Sequence, residues 1–234
     1  MKNIFCLLII VATFPASIFS QKIDNQLSAK EKRKGWILLF NGIDSEGWTT
    51  TNNKMVPAGW SIKDGILSTV KGGKGGDIMT INEYSDFDLS IDYKIEPTCN
   101  SGVKYFFTKY EKGGNLGMEF QILDNELADD NKLENHLSGS FYDVLAPTIP
   151  KPKIHSPGEW NTLRIVSKEK NVTHWLNGVK ILSFTRGSKE FTDAVSKSKF
   201  SKTSPAFGTV DKGHIMLQEH GGVASFKNIK IKII

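Results

Sequence analysis

A chain of 234 residues, 39% hydrophobic and 24% charged, is long enough to bury one substantial core. Its formal charge of +5 comes from 30 Lys and Arg against 25 Asp and Glu. The lysines are scattered in ones and twos, which excludes the clustered basic footprint of a nucleic-acid binder.

Residues 1–20 read as an export signal. Lys2 precedes an apolar run from Ile4 to Thr13, and small residues from Ser17 to Ser20 stand ahead of Gln21. That run is shorter than the roughly 20 apolar residues of a membrane span, and nothing later supplies one. The expectation is an exported protein, periplasmic or secreted, with no membrane span. Cleavage removes Cys6 and leaves Cys99 with no partner for an internal disulfide. Residues 21–34 form a polar leader or short helix.

From Gly35 to Ile234 the pattern is that of a single all-β sandwich. Short apolar or alternating runs such as Phe87–Ile95, Val103–Phe107, Met118–Leu123 and Trp160–Val166 are separated by Gly, Asn and Pro punctuation. Asp64-Gly65 and Asn177-Gly178 each predict a tight hairpin, because both positions of the favoured two-residue turn need positive φ. One helix is predicted near 188–199, capped by Ser188, with Phe191, Ala194 and Val195 on its apolar face. The polar stretch from Asp124 to Tyr142 reads as a loop beside a site.

Three segments carry candidate chemistry. In Gly117 to Asp124, Met118, Phe120 and Ile122 alternate with Glu119 and Gln121, so a strand sends the carboxylate and the amide out from one face. In His214 to Gly221, core-facing Ile215 and Leu217 would place His214, Met216, Gln218 and His220 on the opposite face. Within Asn100 to Phe107, strand alternation predicts Lys104 and Phe106 on one face and Val103, Tyr105 and Phe107 on the other. His174, between Val172 and Leu176, reads as a packing residue. Tyr142-Asp143 and Lys151-Pro152-Lys153 are loops placed to cover a site. Zinc, phosphate-loop and serine-hydrolase motifs are missing. No cofactor is evident, and the spacing leaves a divalent metal and the oligomeric state open.

Taken in order, these stretches resemble a known family. Trp36-Ile37-Leu38-Leu39-Phe40-Asn41-Gly42, Trp60 to Leu67, Asn100 to Phe106, Glu119 to Asp124, Gly158-Glu159-Trp160-Asn161, His174 to Val179 and Gly213 to Gly221 are similar to the 3-keto-disaccharide hydrolase domain family. The resemblance implies a concanavalin A-like jelly-roll sandwich, exported by glycan-degrading bacteria. It also implies a carbohydrate substrate oxidised to a ketone at C3, with 3-keto-glucoside 1,2-lyase and 3-keto-2-hydroxyglucal hydratase chemistry attached to the family. Parity and resemblance together nominate Glu119 or His220 for proton transfer and Lys104 as stabiliser of a carbonyl or enolate. They nominate Gln121, Gln218, Tyr142, Asn100, Asp124 and Lys153 for substrate binding. Two other readings stay open: a non-catalytic carbohydrate-binding module and a conventional retaining glucanase. The glucanase pattern resembles Glu-x-Asp-x-x-Glu, whereas here Glu119-x-Gln121-x-x-Asp124 stands, without a clear carboxylate pair at the roughly 5–5.5 Å that mechanism needs.

Overall fold

The computed structural model describes residues 23–148 and 153–234. The expected export signal at residues 1–20 therefore lies outside the described residues, as do Lys151 and Pro152. The chain opens with helix α1 (Ala29–Arg33), closed at its start by a reciprocal Ser28–Glu31 capping box. Strands β1 (Trp36–Leu38), β2 (Trp48–Thr50), β3 (Trp60–Lys63), β4 (Ile66–Thr69) and β5 (Ile78–Tyr84) follow. Three long strands come next: β6 (Phe87–Ile95), β7 (Asn100–Tyr110) and β8 (Gly114–Leu123). After a loop with a short 3₁₀ turn come β9 (Asn161–Lys168), β10 (Asn171–Leu176) and β11 (Val179–Thr185). Helices α2 (Lys189–Lys197) and α3 (Phe200–Thr203) precede the last strands, β12 (Gly213–Leu217) and β13 (Ala224–Ile233).

The strands form two antiparallel sheets in a jelly-roll sandwich of the concanavalin A-like type. One runs β11-β10-β9-β6-β13-β4-β3, with β1 also on β13, and the other runs β2-β5-β12-β7-β8. Strict alternation on β6 buries Phe87, Leu89 and Ile91 while Ser90 and Asp92 stay partly exposed. They meet Val103, Tyr105, Phe120 and Ile122 of the second sheet in one core. Each such fully buried side chain stabilises the fold by about 1.5–3 kcal/mol. No helix among the described residues is long and apolar enough to cross a membrane.

Both hairpin turns form as expected: Asp64 and Gly65 have φ of 51° and 75°, and Asn177 and Gly178 have 48° and 80°. Helix α2 begins one residue after Ser188, whose Oγ accepts from Phe191 N at 3.2 Å. Sequence alternation does not reveal β2 or β5, which are short or follow directly on the glycine-rich stretch at 72–76.

The face assignment on β7 needs one correction. Phe106 adopts φ 52°, and the pairing with β8 steps from Tyr105↔Met118 to Thr108↔Leu116, three residues against two. This bulge turns Phe106 into the core beside Tyr105 and puts Phe107 in an outer cluster with Met79 and Met216. The flanking strands leave room for it. A Cβ on Gly213 would lie 2.4 Å from the Phe106 carbonyl carbon, and one on Gly117 3.0 Å from Phe107 Cα.

His174 is a core residue, as its apolar neighbours suggest. It is fully buried, with Nε2 2.8 Å from the Tyr105 hydroxyl and Nδ1 3.0 Å from the Gly139 carbonyl. The carbonyl can only accept, so Nδ1 donates and Nε2 takes the tyrosine hydrogen. Burial holds this imidazole down to about 4.

Candidate active site

The site forms on the outer face of the five-stranded sheet, over β7, β8 and the end of β12. On β8, Phe120 and Ile122 enter the core, which sends Glu119 and Gln121 outward. Lys104 pairs with Glu119 across β7, and Gly102 pairs with Gln121. Gly102 gives the carboxylate its place, since a Cβ there would sit 2.2 Å from Glu119 Oε1. The free edge of β8 is covered by the returning chain: Gly139 N donates to Gln121 O at 2.9 Å and Tyr142 N to Glu119 O at 3.1 Å. Glu119 and Gln121 are therefore only 4% and 1% exposed on what is formally an outer face.

Burial raises the Glu119 carboxyl above the ordinary carboxylate range. The Lys104 and Lys199 charges oppose that rise, and Asp77 and Asp130 add to it. Lys104 Nζ stands 3.8 Å from Glu119 Oε2, an attraction too long to be a hydrogen bond. The ammonium is thus held near the carboxylate but keeps its donors for something else. With its nitrogen turned toward Glu119, the Gln121 amide donates to Oε1 at 3.0 Å and to the Ser101 carbonyl at 3.1 Å. An amide here supplies a donor where a second carboxylate would repel.

These residues line a cavity of about 590 Å³ together with Asn100, Gln218 and His220. Gln218 is fixed by its backbone, whose N–H donates to Gly102 O at 3.0 Å and whose carbonyl accepts from Ser101 Oγ at 2.9 Å. Its side-chain Oε1 is buried with no hydrogen-bond partner among the described residues, which leaves an acceptor for a ligand hydroxyl. His220 sits exposed at the rim. His214 stays off this cavity: its Nδ1 lies 2.8 Å from the Thr80 carbonyl.

Two expected site residues are elsewhere. Asp124 follows the last residue of β8 and turns to the other side, where it accepts from the backbone N–H groups of Thr98 at 2.8 Å, Glu126 at 3.1 Å and Leu127 at 3.2 Å. Its partial burial disfavours the charge, but those three donors win and hold the carboxyl below its usual range. Asp124 is a loop cap rather than a substrate contact. Lys153 lies at the far sheet, where its carbonyl accepts from Asn177 Nδ2 at 2.9 Å. It does not reach the cavity.

The other wall comes partly from the polar loop expected beside a site, which ends at Tyr142, and partly from Lys199 and Phe200, which the sequence does not reveal. Ala128, Asp129 and Asp130 come from the polar loop, Lys199 from the link between α2 and α3, and Phe200 from the start of α3. Tyr142 donates its hydroxyl hydrogen to Asp130 Oδ2 at 2.8 Å. His136 lies between two carboxylates, 2.7 Å from Asp130 Oδ1 and 3.0 Å from Asp143 Oδ1. Asp143 Oδ2 accepts from Lys199 N at 2.7 Å, and Lys199 Nζ stands 4.2 Å from the Tyr142 ring centre. The available signal was an acidic loop closing on Tyr142-Asp143. Among the described residues, no group of three or more His, Cys, Asp or Glu is placed to hold a metal ion.

A 3-keto-disaccharide hydrolase of Bacteroides thetaiotaomicron is 29% identical over 255 residues, spanning 96% of this chain and 87% of that protein. The 1.70 Å crystal structure of a protein from Parabacteroides distasonis, described as a glycosyl hydrolase, is 32% identical with a TM-score of 0.81. It is matched over 91% of this chain and all of its own. A second P. distasonis structure so described, at 2.00 Å, is 28% identical with a TM-score of 0.67, over 85% of this chain and 99% of that one. Residues 35–232 match the sequence profile of the 3-keto-alpha-glucoside-1,2-lyase-like domain, and the chain belongs to that family.

Proposed function

We propose that this protein is an exported carbohydrate-active hydrolase that cleaves glycosides carrying a ketone at C3, by elimination across C1–C2 followed by hydration. The observation that carries the reading is Glu119: a buried carboxylate of raised basicity, 3.8 Å from a lysine ammonium, in a cavity lined by amides. A C3 ketone makes the C2 hydrogen acidic, and a general base whose pKa lies closer to working pH removes it more effectively. Lys104 is placed to stabilise the enolate oxygen. The electron pair then forms C1=C2 and expels the C1 oxygen. Water adds at C1, and Glu119, its acquired proton having exchanged with solvent, protonates C2, so the net result is hydrolysis. Asn100 and Gln218 bind hydroxyls. His220, at the rim, is less suited than Glu119 to be the base.

The name of the B. thetaiotaomicron relative supports the substrate class. A retaining glucanase reading fares worse, because Gln121 occupies the strand position where a partner carboxylate would be required. The test uses a 3-keto-glucoside and its unoxidised parent, the former labelled with deuterium at C2. The oxidised substrate should turn over with exchange of the label into solvent, and the parent should not react. Equal turnover of the two, or full retention of the label, would refute the proposal.

A further inference from the structure

We infer that Tyr142 is the general acid that protonates the departing C1 oxygen, with Asp130 and His136 as its positioning residues. The inference rests on the elimination chemistry proposed above and adds the proton donor which that chemistry leaves unassigned.

Elimination needs two proton transfers in different places. Glu119 takes the C2 proton, while the C1–O bond breaks and its electron pair stays on the leaving oxygen. An alkoxide is a poor leaving group, so a hydrogen must reach that oxygen as the bond breaks. Lys104 is committed to the enolate, beside Glu119. Across the cavity, the titratable hydroxyl in the lining belongs to Tyr142.

The phenol is built in rather than merely nearby. Its backbone N–H is tied to the Glu119 carbonyl, which fixes the acid relative to the base at 3.1 Å between main-chain atoms. At rest its hydroxyl hydrogen is held on Asp130 Oδ2 and must turn from that carboxylate to the leaving oxygen at transfer; Asp130 is held by His136, and His136 by Asp143. Burial and the neighbouring carboxylates raise the Tyr142 phenol above its usual range, which keeps the hydrogen on the oxygen in the resting enzyme. The same rise makes the phenol a weaker acid at rest, so the transfer is driven by the negative charge that develops on the leaving oxygen as the C1–O bond breaks. Lys199 Nζ, 4.2 Å from the ring centre, offsets the charge left when the proton departs. Protons balance over the cycle. The water that adds at C1 gives its hydroxyl to carbon and its remaining hydrogen to Tyr142, while Glu119 protonates C2.

Leaving-group basicity tests this directly. A nitrophenolate departs without help, whereas a methoxide or a sugar alkoxide does not. Wild-type and Tyr142→Phe enzymes would be assayed on 3-keto-glucosides bearing p-nitrophenol, methanol and glucose as leaving groups. The variant should lose about 10²- to 10³-fold in kcat on the methyl and glucosyl substrates and less than about threefold on the nitrophenyl substrate. His136→Gln should show the same split at smaller amplitude, with KM unchanged. In the wild type alone, the rate should depend only weakly on leaving-group basicity, a readout that needs no variant to fold. Equal losses on all three substrates, or no loss on any, would overturn the assignment. Turnover of the unoxidised glucosides by the wild type would instead overturn the elimination chemistry, and the assignment with it.

Discussion

Acid should unfold this protein through His174, and the size of the effect follows from its surroundings. The ring is fully buried, donates to Gly139 O and accepts from Tyr105 Oη, so it must stay neutral to keep both bonds. Its folded pKa of about 4 lies below the ordinary 6.5. Between those values the unfolded chain takes up a proton that the folded chain refuses, so stability falls as pH drops through this window. The gap converts to about 3 kcal/mol, against a total of roughly 5–15 kcal/mol for a typical domain. Replacing His174 by Gln removes the titrating group at the expense of packing and hydrogen bonds, and should cost about 2–3 kcal/mol near neutrality. Urea unfolding of both proteins from pH 7.5 to 4.5 provides the assay. The difference in stability should shrink by about 1.4 kcal/mol per pH unit below 6.5. Two curves that stay parallel across that range, or a His174 ring that titrates near 6.5 by NMR, would refute the argument.

Other expectations follow from the site and its supports. Glu119→Gln should abolish most turnover, by about 10²- to 10⁴-fold, yet raise the melting temperature at pH 7 to 8. A carboxyl whose folded pKa is raised stabilises the fold while protonated and loses that contribution as pH rises; a lower melting point for the variant would contradict this. Gly102→Ala places a methyl 2.2 Å from Glu119 Oε1 and should displace the carboxylate. Activity is then expected to fall about 10²-fold with circular dichroism unchanged, and unaltered kcat would argue against Glu119 as the base. Asp124→Ala should destabilise by about 1–2 kcal/mol and spare kcat of the folded fraction, since its carboxylate caps a loop; a selective loss of kcat would return it to the site. Cys99, buried with its thiol pushed up to about 12, should resist a thiol reagent until the protein unfolds, which labelling along a urea titration can follow.

The two hairpins, the helix after Ser188 and the pairing of Glu119 with Gln121 were legible because each depends on local chemistry: a positive-φ dipeptide, a cap, a period of two. Lys104 was also legible as an outward residue, but its neighbour Phe106 was not. Alternation assumes one residue opposite one, and the bulge breaks that count where glycines on both flanking strands make room, Gly117 on the next strand and Gly213 far away in sequence. For Asp124, by contrast, strand parity pointed away from Glu119 and Gln121, and the side chain does turn to that other side; its nomination for substrate binding went against the parity. Lys153 was chosen as a loop cation, and loop composition does not say which sheet the loop lies beside. Asp130 belongs to the polar loop expected beside the site, but Lys199 joins it through a contact between segments about 60 residues apart, Lys199 N with Asp143, which no local pattern encodes.

The segment from Gly139 to Tyr142 also bears on how the molecule meets copies of itself. Without it, β8 would present unpaired backbone from Glu119 to Gln121 at the border of its sheet, the kind of surface that templates association with another chain. At the other border stands β2, only three residues long and too brief to recruit a stranger. One border is sealed by the same turn that encloses the carboxylate, and the other is kept short. The arrangement that dries Glu119 therefore also guards this stretch of the sheet against aggregation, and a variant that loosens this turn would expose a sticky edge as well as a wet carboxylate.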